Sequence, residues 1–251
     1  LGAGLDAQLQ ALRSRRSGLR PNDFAAAAPL DTWIGRVEGV EDAPLPAQWG
    51  QWDCRNNRLA WLALQQDGLP EAVVAAREHY RPQRVAIVLG TSTSSIGATE
   101  EAYARLEADG AFPADLRRAC LHTPHSLGGF VQAGSGLRGP CVTVATACSS
   151  SAKVFAQAAR LLHAGVADAA LVGGVDTLCG SVLFGFNALG LVSSRPCRPF
   201  DAARDGLSLG EAAGFALLER AAPGERAPRL LGYGESSDAH HMSTPHPEGL
   251  G

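Results

Sequence analysis

One cysteine of this 251-residue chain, Cys148, stands where a nucleophile is expected. Residues 141–145 form a short apolar run after a Gly-Pro pair, which predicts a buried strand. From Ala152 onward, apolar residues recur at helical spacing. A thiol at such a strand-to-helix turn lies near converging backbone N–H groups and the positive end of the helix dipole, and both favour the thiolate. We therefore interpret Cys148 as a candidate nucleophile.

The other cysteines lack a comparable setting. They are scattered, with no CxxC pair and no Cys/His cluster at metal-binding spacing, so neither structural disulfides nor a metal site is expected. In a reducing compartment such residues behave as small buried hydrophobes. They are Cys54, Cys120, Cys141, Cys179 and Cys197.

Composition narrows the class of protein. Hydrophobic residues make up 45% of the chain, enough for a large core, and α/β proteins of this length often form one domain. The net charge of −3, without a long basic run, argues against nucleic-acid binding. No apolar segment reaches the roughly 18 residues of a membrane span, and the first residues lack the regions of a signal peptide. We expect a cytoplasmic protein.

Strand and helix signals alternate along the chain, which predicts βαβ units and a parallel sheet covered on both faces. Residues 21–50, rich in Pro, Ala and Gly, are interpreted as an irregular surface segment. Helices are predicted at 5–14, after a cap at Asn56 or Asn57, from Pro70 to Tyr80, at 99–108 and after Cys148. Strands are predicted at 84–89, 169–175, 214–218 and 229–233.

Several polar segments are interpreted structurally. The loop 90–97 lacks the lysine of a P-loop and the spacing of a dinucleotide fingerprint, so we expect it to border a pocket. Pro124 disfavours a helix carrying both His122 and His125, and hydrogen-bonding roles are expected for both. Residues 184–192 suit a core helix or the wall of an apolar pocket, and core packing is favoured. The charged segment 198–206 is interpreted as a loop locked by Asp–Arg pairs.

The segment around Cys148 resembles the nucleophile region of the β-ketoacyl-acyl carrier protein synthases. The residues that carry this resemblance are Thr146-Ala-Cys148-Ser-Ser-Ser, Leu137-Arg-Gly-Pro140 before it and Leu171-Val-Gly-Gly-Val-Asp176 after it.

Further motifs follow in the family's order across residues 84–246. The segment from Cys197 to Gly214 resembles the pattern CRPFDxxRDGxxxGEGAG, with Ala212 in place of the second glycine, and Ser236-Ser-Asp238-Ala-His-His241-Met resembles SSDAYHMT.

The resemblance implies a duplicated thiolase-like α/β fold, layered α-β-α-β-α, of which this sequence holds the first half and part of the connection to the second. Residues 1–235 are expected to form the N-terminal half without its first strand of the type VVVTGxG, and residues 236–251 a polar loop leading to the second half. The family's catalytic histidines, in HGT and GHxxG motifs, do not occur in this sequence. His240, His241 and His246 match neither motif.

The resemblance also implies a reaction. Cys148 would accept an acyl group from acyl carrier protein, and decarboxylation of malonyl-acyl carrier protein would then drive a Claisen condensation, in fatty acid or polyketide synthesis. No cofactor is implied beyond the phosphopantetheine arm that carries the substrates. In the family, the histidine pair carries out the decarboxylation. The 251 residues of this sequence, which lack that pair, are therefore not expected to complete the condensation alone.

Secondary site residues follow by analogy. Phe186, with Gly185 and Leu189, would line the acyl tunnel, and Asp238, His241 and Ser243 would lie on a loop gating the pantetheine entrance.

The implied partners are acyl carrier protein and a second synthase subunit, in a homodimer or heterodimer that pairs the strands before the cysteine. Arg13, Arg15 and Arg16 suit an acidic carrier or simply a solvated helix end. Two alternatives stay open: a thiolase acting on CoA thioesters, and a non-catalytic chain-length partner. Retention of Cys148 argues against the second.

Overall fold

The computed structural model describes residues 1–24, 30–221, 224, 226–242 and 244–251. These residues form two compact units, Leu1–Arg220 and Ala221–Gly251. Among the described helices, none combines the length and the apolar character that a bilayer span requires.

The first unit contains the regular secondary structure of the described residues. Its helices are α1 Leu5–Arg13, α2 Arg55–Leu64, α3 Leu69–Tyr80, α4 Ile96–Ala104, α5 Ser126–Ser135, α6 Ser150–His163 and α7 Gly180–Ala188. Its strands are β1 Arg20–Pro21, β2 Trp33–Gly35, β3 Val85–Gly90, β4 Cys141–Val144, β5 Ala169–Asp176, β6 Leu209–Gly210 and β7 Ala212–Glu219.

The main sheet has the strand order β4-β3-β5-β7. Strands β4, β3 and β5 are parallel, whereas β7 runs antiparallel to β5. A smaller sheet has the order β1-β2-β6. The chain thus belongs to the α/β class, with one antiparallel strand that the prediction of a parallel sheet did not include.

The alternation of side chains along β3 produces a core on each face of the sheet. Val85, Ile87 and Leu89 join the cluster formed with α2, α3 and α5, whereas Ala86 and Val88 pack with α6. All five are completely buried. Each fully buried Val, Leu or Ile contributes about 1.5–3 kcal/mol. The doubly covered sheet predicted from the sequence is confirmed.

The sequence prediction locates β3, β4, β5 and β7 of the main sheet and most helices, but it misses α5 and the short strands β1, β2 and β6. The helix predicted at 99–108 runs over 96–104, and β4 is a half-buried edge strand rather than a buried one. The predicted cap at Asn56 or Asn57 is wrong, because Cys54 precedes the helix and both asparagines are buried.

Two other predictions about local structure are wrong. The segment 21–50 is not wholly irregular, since β2 pairs with β1 and β6 and its Ile34 is completely buried. The strand predicted at 229–233 does not form, because these residues are exposed and no strand of their own unit pairs with them.

A buried carboxylate joins three segments of the first unit. Glu211, whose side chain is completely buried, accepts hydrogen bonds from the Val37 N–H at 2.8 Å, the Arg55 Nε at 2.8 Å and the Leu178 N–H at 3.1 Å. Arg55 and Arg36 also bind Glu41. Burial opposes ionisation of Glu41, but these arginines outweigh it and lower its pKa to about 2.

We expect Glu211→Gln to lower the free energy of unfolding by about 3 kcal/mol, because it leaves the Arg55 guanidinium without its buried counter-charge. Glu41→Gln is the matched control: its side chain is 42% exposed, and we expect a loss below about 1 kcal/mol. Urea denaturation of both variants measures the difference. Equal losses would contradict the assignment of Glu211 as the central charge.

Candidate active site

Cys148 lies in a tight turn between β4 and α6. This turn, residues 145–149, is called the cysteine turn. Residues Ala147–Ser149 form a short 3₁₀ turn, and α6 begins at Ser150. Ala147 has φ of +53°, a left-handed conformation that costs a non-glycine residue about 1–2 kcal/mol. The Cys148 side chain is exposed. The strained turn therefore presents the thiol at the surface of this unit, at the start of a 14-residue helix.

The serines that follow Cys148 close this turn. The Ser150 hydroxyl, which is almost completely buried, accepts from the Thr146 N–H at 2.9 Å and donates to the Ala147 carbonyl at 2.6 Å. The Ser149 hydroxyl donates to the Thr146 carbonyl at 2.9 Å. Backbone groups left unpaired by the turn are thereby satisfied. The run of serines has a local structural role that the sequence analysis did not assign.

Two glycines let the start of α6 rest directly on the sheet. A Cβ at Gly90, the last residue of β3, would lie 2.5 Å from the Ser150 carbonyl carbon. A Cβ at Gly174 would lie 2.5 Å from the Ser151 Cβ. Only residues without a side chain fit at these positions, and they fix where the helix and the cysteine turn begin.

The remaining cysteines are less exposed than Cys148. Burial raises the pKa of Cys54 and of Cys141 to about 11, and that of Cys179 to about 12. At neutral pH, on the order of one such thiol in ten thousand or fewer is ionised. Cys120 and Cys197 are half-buried.

The loop predicted to border a pocket lies at the same end of the sheet as Cys148. It follows β3, which is the neighbour of β4, and residues 91 and 93–95 are buried hydroxyl side chains. The carboxylate of Asp176, at the end of β5, accepts the N–H groups of Ser92 at 2.6 Å and Thr93 at 2.8 Å. Neither Asp176 nor Glu211 is recognisable as a site residue from local sequence, since each acts through partners distant in sequence.

Both histidines of the 121–129 segment form hydrogen bonds, as predicted. The His122 ring bonds Thr99 Oγ1 at 2.8 Å and the Leu116 carbonyl oxygen at 2.6 Å, and His125 Nδ1 bonds Thr143 Oγ1 at 2.8 Å. Within the described ranges, no group of three or more His, Cys, Asp or Glu residues is placed to hold a metal ion.

The residues predicted to line the acyl tunnel lie on or next to α7. The start of this helix is held by Glu100 of α4, which accepts the Gly180 N–H at 3.0 Å. Phe186 is half-buried, Gly185 is exposed, and Leu189 is 64% exposed. Among the described residues of α7, only Leu183 is buried. The favoured interpretation of residues 184–192 as core packing is therefore wrong for Gly185 and Leu189, which are exposed. Their role in an acyl tunnel stays a prediction.

An Asp–Arg pair holds the charged loop before β6, which is the type of interaction predicted for this loop. The pair joins Asp205 to Arg195, which lies just outside the predicted segment. Hydrogen bonds from Arg195 and Ser193 lower the pKa of Asp205. Phe200, in the same loop, has φ of +65° and a completely exposed side chain.

Of the predicted gating residues, Asp238 and His241 lie in the second unit. The Asp238 carboxylate accepts the N–H groups of His246 at 2.8 Å and His240 at 3.0 Å, and these bonds lower its pKa. His241 Nδ1 accepts the N–H of Thr244 at 3.2 Å. Ser243 lies outside the described residues. The gating role of this loop stays a prediction.

The chain belongs to the β-ketoacyl synthase family, whose N-terminal domain matches residues 56–223. It is 34% identical over 190 residues to Nodulation protein E of Rhizobium meliloti (strain 1021), an alignment that covers 69% of this chain and 47% of that protein. Over 128 residues it is 38% identical to the 3-oxoacyl-(acyl-carrier-protein) synthase 2 of the same strain, covering 46% of this chain and 30% of that protein.

A solved structure shares the fold over nearly the whole chain. It is a chain of the complex between the ketosynthase ApeO and its chain length factor ApeC, from Xenorhabdus doucetiae, with a TM-score of 0.81 and 32% identity. The match covers 98% of this chain and 61% of that one. The thiolase-like fold and the family predicted from the sequence are confirmed, and the chain spans about half the length of the curated relatives it matches.

We expect a limiting amount of iodoacetamide at neutral pH to alkylate Cys148 first, because its side chain is exposed. Cys54 and Cys179 are buried, Cys141 is half-buried, and the pKa values of all three are raised. Peptide mapping by mass spectrometry identifies the labelled site. In the Cys148→Ser control, only slow labelling at Cys120 and Cys197 is expected. Equal labelling of all six cysteines would refute the assignment.

We expect Gly90→Ala to lower the free energy of unfolding by about 1–3 kcal/mol, because the new Cβ meets the backbone of Ser150. Gly214→Ala is the matched control, since a Cβ there has no neighbour within 4 Å, and we expect a change below about 1 kcal/mol. Urea denaturation compares the two variants. Equal free energies of unfolding for the two variants would show that the start of α6 moves to accept the new Cβ without a loss of stability.

Proposed function

We propose that this chain supplies the acyl-accepting part of a β-ketoacyl synthase. The observation that carries the proposal is the exposed Cys148 thiol at the start of α6, in a chain of the β-ketoacyl synthase family. Synthase relatives contribute the reaction class, a condensing acyltransferase.

The first half-reaction is a transthioesterification. The Cys148 thiolate attacks the carbonyl carbon of an acyl thioester on the phosphopantetheine arm of acyl carrier protein. The bond from that carbon to the pantetheine sulfur breaks, and the carrier leaves as a thiol after taking up a proton. The Cys148 N–H donates to the oxyanion that develops, and a donor of this kind is worth about 3 kcal/mol.

The second half-reaction is the decarboxylative condensation of malonyl-acyl carrier protein with the acyl-enzyme. The family's histidine motifs, which are assigned to this step, do not occur in the 251 residues. We therefore assign acyl loading to this chain and leave decarboxylation to the part of the synthase that carries those histidines. The product would enter fatty acid or polyketide synthesis.

A second synthase subunit is proposed as a partner. Strand β4 lies at the edge of the main sheet, so one row of its backbone groups has no neighbouring strand within the described residues. Pairing with the same strand of a homodimer or heterodimer partner would satisfy these groups. The complex of ApeO with its chain length factor supports the heterodimeric form.

A non-catalytic chain-length partner is the second candidate function, favoured by that same complex. Such a subunit does not need a nucleophile, whereas Cys148 is present and exposed. The two candidates therefore differ in whether the chain itself becomes acylated.

We expect incubation with acyl-acyl carrier protein to add the mass of one acyl group at Cys148, since the half-reaction requires the thiolate but not the histidines. Intact mass and peptide mapping measure it. Cys197→Ala should be acylated normally and Cys148→Ala should not. Equal acylation by acyl-CoA would favour a thiolase, and absence of acylation while iodoacetamide still labels Cys148 would favour the chain-length partner.

A further inference from the structure

The carboxyl ends of three parallel strands bring three segments together at one end of the main sheet. The cysteine turn follows β4, the hydroxyl-rich loop 91–95 follows β3, and Asp176 ends β5. Because β3 lies between β4 and β5, the loop lies between the cysteine turn and Asp176. At this end of the sheet, the loop 91–95 therefore connects Asp176 to the turn that holds Cys148.

Asp176 holds the loop through one oxygen. Its Oδ1 accepts the N–H groups of Ser92 at 2.6 Å and Thr93 at 2.8 Å. The hydroxyl groups of Thr91 at 3.2 Å, Ser92 at 3.0 Å and Thr93 at 3.0 Å bond the same atom. Hydrogen bonds to a carboxylate are roughly twice as strong as neutral ones. Asp176 thus anchors residues 91–93, whereas Ser94 and Ser95 bond carbonyl groups of the 121–124 segment.

The loop is tied to the cysteine turn by its first residue. The Thr91 N–H donates to the carbonyl of Val144, the last residue of β4, at 3.1 Å. Thr91 is almost completely buried, and its hydroxyl also accepts the Ser94 N–H at 2.8 Å. Gly90, immediately before it, contacts the start of α6. A displacement of Thr91 is therefore transmitted to both ends of the cysteine turn.

We infer that Asp176 is a positioning residue for Cys148, acting through Thr91 and Val144. The inference rests on the proposed function for its catalytic consequence, but the structural coupling stands without it. Asp176 touches neither the thiol nor the substrate in this scheme. Its carboxylate fixes the loop, and the loop fixes the end of β4 from which the cysteine turn starts.

The coupling is tested by hydrogen–deuterium exchange of the whole chain, read by mass spectrometry. In Asp176→Ala we expect exchange to accelerate about tenfold or more both in residues 91–95 and in the cysteine turn, with α3 unchanged. Asp168→Asn is the matched control, since it removes a carboxylate at the other end of β5 that bonds Arg84 at 2.7 Å. It should leave both segments unchanged.

Milder variants guard against unfolding. Asp176→Asn retains one acceptor oxygen, and Thr91→Val removes one hydroxyl while keeping the N–H that bonds Val144. Both are expected to accelerate exchange in the same two segments, to a smaller extent. Acceleration confined to residues 91–95, in any of the folded variants, would overturn the inference.

Acylation kinetics give the second readout. In Asp176→Asn we expect kcat for acylation of Cys148 to fall about tenfold or more while KM for the acyl carrier stays within about twofold, because positioning acts on the chemical step. A merely structural role would lower stability and leave kcat of the folded enzyme unchanged, which would refute the catalytic part. If the unsubstituted chain shows no acylation, the proposed function fails, and hydrogen–deuterium exchange alone decides the coupling.

Discussion

The close packing of α6 against the ends of β3 and β5 is the constraint on which the site depends. Gly90 and Gly174 leave no side chain between the sheet and the helix start, so the backbone of Ser150 and Ser151 lies against the strands. The turn into the helix must then be made in a few residues, with Ala147 in a left-handed conformation. Protein interiors transmit such strain because they are close-packed. The exposed thiol follows from this geometry.

Buried polar side chains form hydrogen bonds near the carboxyl ends of β3 and β5. Asn56 donates to the Val175 carbonyl at 3.2 Å, and Asn57 donates to Ser126 Oγ at 3.1 Å. Thr93 accepts the Thr177 N–H at 3.0 Å. Buried polar groups require specific partners, since an unpaired one costs about 1–3 kcal/mol. The Oδ1 atoms of Asn56 and Asn57 have no hydrogen-bond partner among the described residues. A network of this kind favours one arrangement of the loops, which a purely apolar interior would not specify as sharply.

The chemistry proposed for this chain depends on one exposed thiol, that of Cys148, in a tight turn before α6. The hydroxyl groups of Ser149 and Ser150 complete the turn. The buried pair of Glu211 and Arg55 holds the smaller sheet and α2 together. Family membership supports the reaction proposed for the thiol, and the absence of the histidine motifs from the 251 residues limits the proposal to acyl transfer.

The sequence by itself determined the family, the cysteine turn and the main strands, because these depend on local periodicity and on motifs of a few residues. The tertiary structure decided what depends on distant partners. The short strand at Trp33–Gly35 forms between β1, which precedes it, and β6, which pairs with it from 175 residues further along the chain. Residues 229–233, predicted as a strand, belong to none of the strands of the described residues. Asp176 and Glu211 lie in motifs that the sequence shows, but the donors that surround each carboxylate come from distant segments and are visible only in the folded chain.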